Sequence, residues 1–386
     1  MASGRERWLP VLLGWSLLCL VGCSDSSTGG NAAVVPTGTE PTITELGARL
    51  APAGLNLSGL SAADKAQVLL GSYLANGPGG GCGCHTTAAG YLAGGLEFPL
   101  LFADTQGRTS IVSRNLTPDP ETGLHLTEAE FIESLRTGKD FHNSTPGNPR
   151  QLLIMPWPAY RFMADADLQA IYAFLRRIPP IGHAVREDFQ LPFPLPPIPA
   201  PPLGEGDSVN DPENSSRGLR IPQFLSRGAA ADAFAARFNT TVARLTPEQQ
   251  AKVGRGSYLV NALADCSSCH TDGDGDGVFD GGFIPGTIDV NTSAYLAGGV
   301  DIGSLAGVKR ILSRNLTPDP RTGLSLTEEQ FIATMQFGAD FRRPGGSLRV
   351  LPHFPTEFHM TLYDLKAIYA YLQAIPAVVK PVDIVP

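Results

Sequence analysis

Charge is scarce in this 386-residue chain. Asp, Glu, Lys and Arg make up 17% of it, and 29 basic residues against 37 acidic ones leave a net charge of −8. That balance argues against a nucleic-acid binder, which needs a basic face. Sustained apolar–polar alternation is missing throughout, so no run reads as a half-buried strand. No nucleophile–base pair stands out, and no separate substrate domain. Cysteine is sparse at six, which rules out a densely stapled scaffold and makes each position worth asking about. What the chain has in quantity is glycine (43) and proline (33), the mark of short elements joined by irregular chain. The length leaves room for two domains, and an apolar fraction of 42% is enough for real cores.

The N-terminus carries Arg5 and Arg7 before "WLPVLLGWSLLCL", an apolar run too short for a comfortable membrane span and of secretory type. Leu20-Val21-Gly22-Cys23 resembles the bacterial lipobox, which implies a signal peptide over 1–22 and a lipid on Cys23. The alternative is an ordinary signal cut nearby. Small polar residues follow, and 23–60 reads as a flexible tether. The folded part is then exported and held to a bacterial cell membrane, facing the periplasm or the exterior.

The rest of the chain is written twice. "GSYLANGPGGGCGCHT" (71–86) answers to "GSYLVNALADCSSCHT" (256–271), and "YLAGG" occurs at 91–95 and 295–299. "SRNLTPDP" at 113–120 returns at 313–320, and "DLQAIYAFL" (167–175) returns as "DLKAIYAYL" (364–372). The domains read as 61–185 and 244–386, joined by a proline-rich linker over 186–243. Each half is mostly helix. Thr127-x-x-Glu130, Thr246-x-x-Gln249 and Thr327-x-x-Gln330 are capping boxes, and the closing segments show helical apolar spacing.

Cys266-Ser267-Ser268-Cys269-His270 is the strongest chemical signal. Cysteines three apart on a helix lie about 60° apart on one face. Both then reach the vinyl groups of one haem, and His270 faces its iron. A structural zinc would need a second pair nearby, and a redox disulfide would not need the histidine. With "NLTPD", the capped helix, a Met-Pro segment and "AIYAYL" following in order, each half resembles a class I c-type cytochrome domain. The arrangement is similar to tandem (dihaem-like) carriers and to the cytochrome subunits of periplasmic dehydrogenases. The resemblance implies an all-α fold with two tandem cytochrome c-like domains, one or two haem c groups, and redox partner proteins. It also makes Arg114, Asn115, Arg314 and Asn315 candidates to steady haem propionates, ordinary loop hydrogen bonding being the alternative.

The halves differ at the expected ligands. In the first, Met155-Pro156 supplies the axial methionine that the resemblance implies. In the second, Leu351-Pro352 stands there instead. His353 is the leading sixth-ligand candidate, with His359, Met360 or an open position as alternatives. Conversely, the first half carries Cys82-Gly83-Cys84-His85, one residue short between its cysteines. With the histidines matched, Cys82 falls out of register. On a regular helix Cys82 and Cys84 point about 200° apart, although the glycines at 79–81 and 83 could let the chain unwind there. Attachment through Cys84 alone is expected, with His85 and Met155 as axial ligands, and Cys82 stays a cofactor-binding candidate because the shortened spacer could still make two bonds. The alternative is a relic without haem. After His270, Asp272, Asp274, Asp276 and Asp280 match the first ligand positions of an EF-hand loop, but Phe283 takes the place of the closing glutamate. Calcium is therefore a candidate, against a solvated acidic loop.

Electron transfer is the leading function. A dihaem enzyme, peroxidase-like or oxidising sulfur compounds, is the alternative if the second iron has an open position. A non-redox binding lipoprotein on a degenerate scaffold is the third reading.

Overall fold

Among the described residues, six helices begin on a hydroxyl side chain that accepts a backbone N–H three residues on, and in four of them the box is closed from the other side. A computed structural model of the protein describes residues 40–78, 82–99, 107–142, 144, 150–186, 198–203, 215–284, 286–303, 310–342, 346–347 and 359–382. The helices of the first half are α1 (Ile43–Leu50), α2 (Ala62–Asn76), α3 (Glu128–Thr137), the short α4 (Trp157–Tyr160) and α5 (Asp165–Leu175). Those that follow are α6 (Ser216–Arg220), α7 (Ala229–Val242), α8 (Pro247–Tyr258), α9 (Cys266–His270), α10 (Glu328–Phe337) and α11 (Leu362–Ala374). The protein is helix-rich, and no helix among the described residues is long and apolar enough to cross a membrane.

Among the described residues, strand is confined to two small antiparallel ladders. One pairs β1 (Glu97–Pro99) with β2 (Ser110–Val112), and the other pairs β3 (Ala339–Asp340) with β4 (Gly346–Ser347). Elements of two or three residues are too short to display alternation, which is why the sequence shows none. Each ladder is echoed in the other half by a single bridge, Asp301 with Leu312 and Lys139 with Gln151.

The core of each half forms where its first long helix crosses its last, α2 on α5 and α8 on α11. Glycine permits the close approach. At Gly71 a Cβ would run into the Ala170 carbonyl and lie 2.8 Å from Phe174 Cβ; at Gly256 it would run into the Ala367 carbonyl and lie 2.8 Å from Tyr371 Cβ. A third helix leans on each pair in the same way. Gly47 of α1 packs on the Leu69 carbonyl, and Gly218 of α6 packs on the Gly254 carbonyl.

Two boundaries drawn from sequence shift as a result. The stretch 23–60, read as tether, ends in α1, which is fixed by the Thr42–Glu45 capping box and by Ser72 Oγ donating to Gly47 O at 2.8 Å. The stretch 186–243, read as linker, contains α6 and α7. Phe234 and Phe238 of α7 set their rings edge-on to Tyr295 and Tyr371, at centroid distances of 5.1 and 5.8 Å. Four residues apart, they make one apolar stripe that needs a core to cover it. Residues 198–203 of the linker lie along the first half, where Ile198 N–H donates to Thr137 O at 3.0 Å and Leu203 is buried. Residues 1–39, which include the signal segment and Cys23, lie outside the described residues.

Candidate functional site

The site in each half is built around a histidine at the end of a short helical turn. Asn76 and Asn261 fix the starting frame: each amide donates to a serine carbonyl one turn back, Ser72 O at 2.9 Å and Ser257 O at 2.8 Å. A tyrosine closes each from the far side, Tyr91 onto Asn76 Oδ1 and Tyr295 onto Asn261 Oδ1, both at 2.6 Å. In the second half Tyr371 joins the network, 2.9 Å from Tyr295; Phe174 stands there in the first. In both halves the histidine follows its asparagine by nine positions.

The imidazoles are held identically. His85 Nδ1 donates to Arg114 O at 2.6 Å, and His270 Nδ1 donates to Arg314 O at 2.7 Å. A carbonyl only accepts, so the proton sits on Nδ1 and Nε2 keeps its lone pair. Burial is the main influence on both rings and lowers their pKa below the usual histidine value. Two neutral imidazoles, oriented through one nitrogen and presenting the other, have the donor chemistry that haem iron takes. The carbonyl behind each is then anchored by its own residue: Arg114 pairs with Asp140 at 2.7 Å, and Arg314 forks onto Asp340 at 2.9 and 2.6 Å.

The thiols beside them are all free. Cys266 and Cys269 are half-buried on α9, and burial pushes both up to about 12. Cys82 is half-buried and likewise pushed up to about 12 by burial, with Cys84 beside it; Cys84 is exposed. The first half corrects one premise of the sequence reading. Gly83–His85 is a 3-10 turn and not a regular α-helix, and Cys82 caps it with φ −64° and ψ 41°. The 200° separation computed for an α-helix does not apply.

Met155 lies half-buried against the core in a segment pinned at both sides. Leu152 N–H donates to Gly138 O at 2.7 Å, Trp157 Nε1 donates to Leu152 O at 3.0 Å, and Trp157 N–H donates to Met155 O at 2.7 Å. Gly138, at φ +74°, ends α3 and lies flat against the Trp157 indole. His353, with Leu351 and Pro352, lies outside the described residues. His359 is exposed, while Met360 and its counterpart Met163 are both buried in the core and serve packing.

Asn115 and Asn315, suggested as propionate contacts, are engaged within their own loops. Asn115 donates to Thr122 Oγ1 and Ile181 O and accepts from Thr117; Asn315 donates to Thr322 Oγ1 and Val378 O and accepts from Thr317. They hold the loop to the chain that follows the last helix. A different set of residues went unnoticed. Tyr258 of the second half donates to Asp167 of the first at 2.6 Å, and Tyr73 of the first half donates to Asp364 of the second. These are the same two positions of the repeat, exchanged. Arg255 forks onto Asp364 at 2.7 and 2.6 Å, with side chains 4% and 0% exposed. Both aspartates sit in the first turn of a helix, where sequence alone reads them as helix-start residues.

No protein-family model matches the chain. Curated proteins do. The cytochrome c subunit of gluconate 2-dehydrogenase from Pantoea cypripedii is 27% identical over 327 residues, 82% of this chain and 61% of that one. The cytochrome c subunit of the quinone alcohol dehydrogenase from Gluconobacter oxydans (strain 621H) is 30% identical over 324 residues, 82% of this chain and 56% of that one. A diheme cytochrome c-type protein from Cereibacter sphaeroides is 25% identical over 311 residues, 78% of this chain and 83% of that one. These three relatives are c-type cytochromes by name. The chain spans a little over half the length of the two dehydrogenase subunits.

Against cytochrome relatives, the closeness of the two attachment loops stands out. Helix α4, directly after Met155, packs on the π-helical turn Leu259–Leu263 that leads into Cys266. The Tyr160 phenol is pushed well above its usual pKa by burial, then by Cys82, Asp265 and Cys84 around it. One ring therefore has residues of both loops as neighbours. Asp265, in a left-handed conformation at φ +44°, is pushed up to about 7 by burial. The acidic loop beyond is less like a cation site than its spacing implied. Oxygens of Asp272, Asp274 and Asp276 lie within 4.8 Å of one another, but Lys380 Nζ sits 2.8 Å from Asp272 Oδ2. Asp272 Oδ1 accepts from the N–H of Gly275 and Gly277, and Asp280 Oδ1 accepts from that of Gly282.

Proposed function

We propose that this protein is an exported electron carrier built from two tandem cytochrome c-like domains, lipid-anchored through Cys23. In this reading Cys266, Cys269 and His270 hold one haem c, and Cys84 and His85 hold the other. Met155 is the sixth ligand in the first half and His353 in the second. The observation that carries the reading is the pair of imidazoles locked by the same backbone carbonyl with Nε2 free, 2.6 and 2.7 Å in the two halves. The haem supplies a one-electron centre. The chain's residues do the rest. Arg114 O and Arg314 O keep each ring oriented and basic at Nε2. The Trp157–Leu152–Gly138 anchors keep Met155 from swinging, and a thioether ligand raises the potential of its iron. The nearness of the loops at Tyr160 supports electron exchange within the molecule. The names of the relatives support a dehydrogenase as the electron donor.

The test is a haem assay joined to a potentiometric titration. Two covalent haems with separated potentials are expected. Met155→Leu, close in volume and costing under about 1.5 kcal/mol of stability, should remove the higher wave and leave the lower one. A purified chain without covalent haem sinks the proposal.

A further inference from the structure

The one-residue gap in Cys82-Gly83-Cys84-His85 is compensated twice in the structure. Upstream, Cys82 follows Asn76 by six positions, whereas Cys266 follows Asn261 by five. One extra residue ahead of the motif offsets the one missing inside it, so His85 and His270 keep the same distance along the chain from their asparagines. Downstream, the turn changes type. Cys266 to His270 is α-helix throughout, whereas Gly83–His85 is 3-10 helix, which rises about 2.0 Å per residue against about 1.5 Å.

The hydrogen bonds say which residues correspond. Thr271 N–H donates to Ser267 O, four back, at 2.9 Å; Thr86 N–H donates to Gly83 O, three back, at 2.9 Å. Gly83 thus does the work of Ser267, and the residue before it, Cys82, stands where Cys266 stands. The residue left out is Ser268, the spacer next to the second cysteine. The surroundings agree. Cys82 and Cys266 are both half-buried against the core, and each lies near the tyrosine that closes its asparagine, Tyr91 or Tyr295. Cys82 is also tied back to α2, its N–H donating to Ala75 O at 3.0 Å. As the cap of the turn and not a member of it, Cys82 is free of the helical phase that would aim it away from Cys84.

We propose that Cys82 and Cys84 both bind the first-half haem, so that this shortened motif makes two thioether bonds. The inference rests on the cytochrome reading and goes against attachment by Cys84 alone. Each thiol adds across a vinyl double bond. Sulfur bonds to the carbon next to the porphyrin ring, the thiol proton ends on the terminal carbon, and the double bond becomes single. No oxidant or reductant is consumed.

The wild-type holoprotein tests this. Trypsin cutting after Lys65 and Arg108 gives a peptide, 66–108, whose only cysteines are Cys82 and Cys84; cutting after Arg255 and Lys309 gives 256–309, whose only cysteines are Cys266 and Cys269. After denaturation and reduction, both peptides are treated with iodoacetamide and weighed. The expected result is one haem on each and no alkylated thiol on either. Haem on 66–108 with one alkylated thiol overturns the inference and leaves the electron-carrier reading in place. So does haem on 256–309 alone. Haem on neither peptide overturns both.

Discussion

The first half ends its attachment motif in a three-residue 3-10 turn and the second in a five-residue α-helix, yet the bonds around the two histidines differ by no more than about 0.2 Å. Gly94 and Gly298 each donate to the histidine carbonyl at 2.7 Å, and Leu92 and Leu296 each donate to the following threonine hydroxyl, at 3.2 and 3.0 Å. What differs sits on the cofactor side: the cysteine spacing, the axial segment, and Phe174 in place of Tyr371. The frame that orients the imidazole is thus separable from the groups that would tune its iron. A duplicated chain of this kind can drift in the second set without losing the first. The two halves are also joined by exchanged copies of one contact, tyrosine of one onto aspartate of the other.

The strongest way to break this comparison is at that exchange. Asp364 carries both Tyr73 and the buried Arg255, so Asp364→Ala takes from a buried guanidinium the carboxylate it forks onto and should cost about 3–5 kcal/mol. Tyr258→Phe removes the hydrogen bond to Asp167 together with the one that the phenol oxygen accepts from Ala164 N–H, and should cost about 1.5–3 kcal/mol. Urea denaturation of the holoprotein measures both. Equal losses would mean that the ion pair adds nothing to the second junction.

A smaller effect should be symmetric. Gly71→Ala and Gly256→Ala each place a methyl against a backbone carbonyl that cannot move aside, Ala170 O or Ala367 O. Each should cost about 1–3 kcal/mol, by the same amount within error. If one is tolerated, the two helix crossings are not equivalent and the repeat is one of sequence more than of packing.

Much of this was legible. The capping boxes at Thr127, Thr246 and Thr327 form as their spacing requires, because a cap is a local bargain between a hydroxyl and an N–H three residues away. The repeat and its histidines were equally open. What stayed hidden depends on partners distant in sequence. Gly47-Ala48-Arg49-Leu50 and Gly218-Leu219-Arg220-Ile221 are faint echoes of each other, and only the glycine contact with the next helix gives them meaning. The Phe234–Phe238 stripe was overlooked inside a stretch taken for linker. The turn at Cys82 is 3-10, so the angle that its spacing gives on an α-helix does not carry over. The exchanged tyrosines could not be paired with aspartates some 90 and 290 positions away without the fold.

The gentlest distinction between the halves is one of charge. The box at Thr127 is closed by Glu130 and that at Thr327 by Gln330, with the return bond at 2.9 and 3.1 Å. The hydrogen bonds from the Thr127 backbone and then its hydroxyl hold the Glu130 carboxyl below its usual pKa of 4.5. A carboxylate depressed in the folded state adds stability that is present above its unfolded pKa and is lost as pH falls through its folded one. The amide of Gln330 does not titrate. Glu130→Gln should therefore differ in stability from the wild type at pH 6 and lose that difference as the pH falls through the lowered pKa of Glu130. Gln330→Glu should confer the same acid dependence on the second half. Denaturation midpoints for both variants, taken from pH 6 to 3, measure the effect. A Glu130→Gln difference that stays flat across that range would show that the two caps work alike whatever the closing side chain carries.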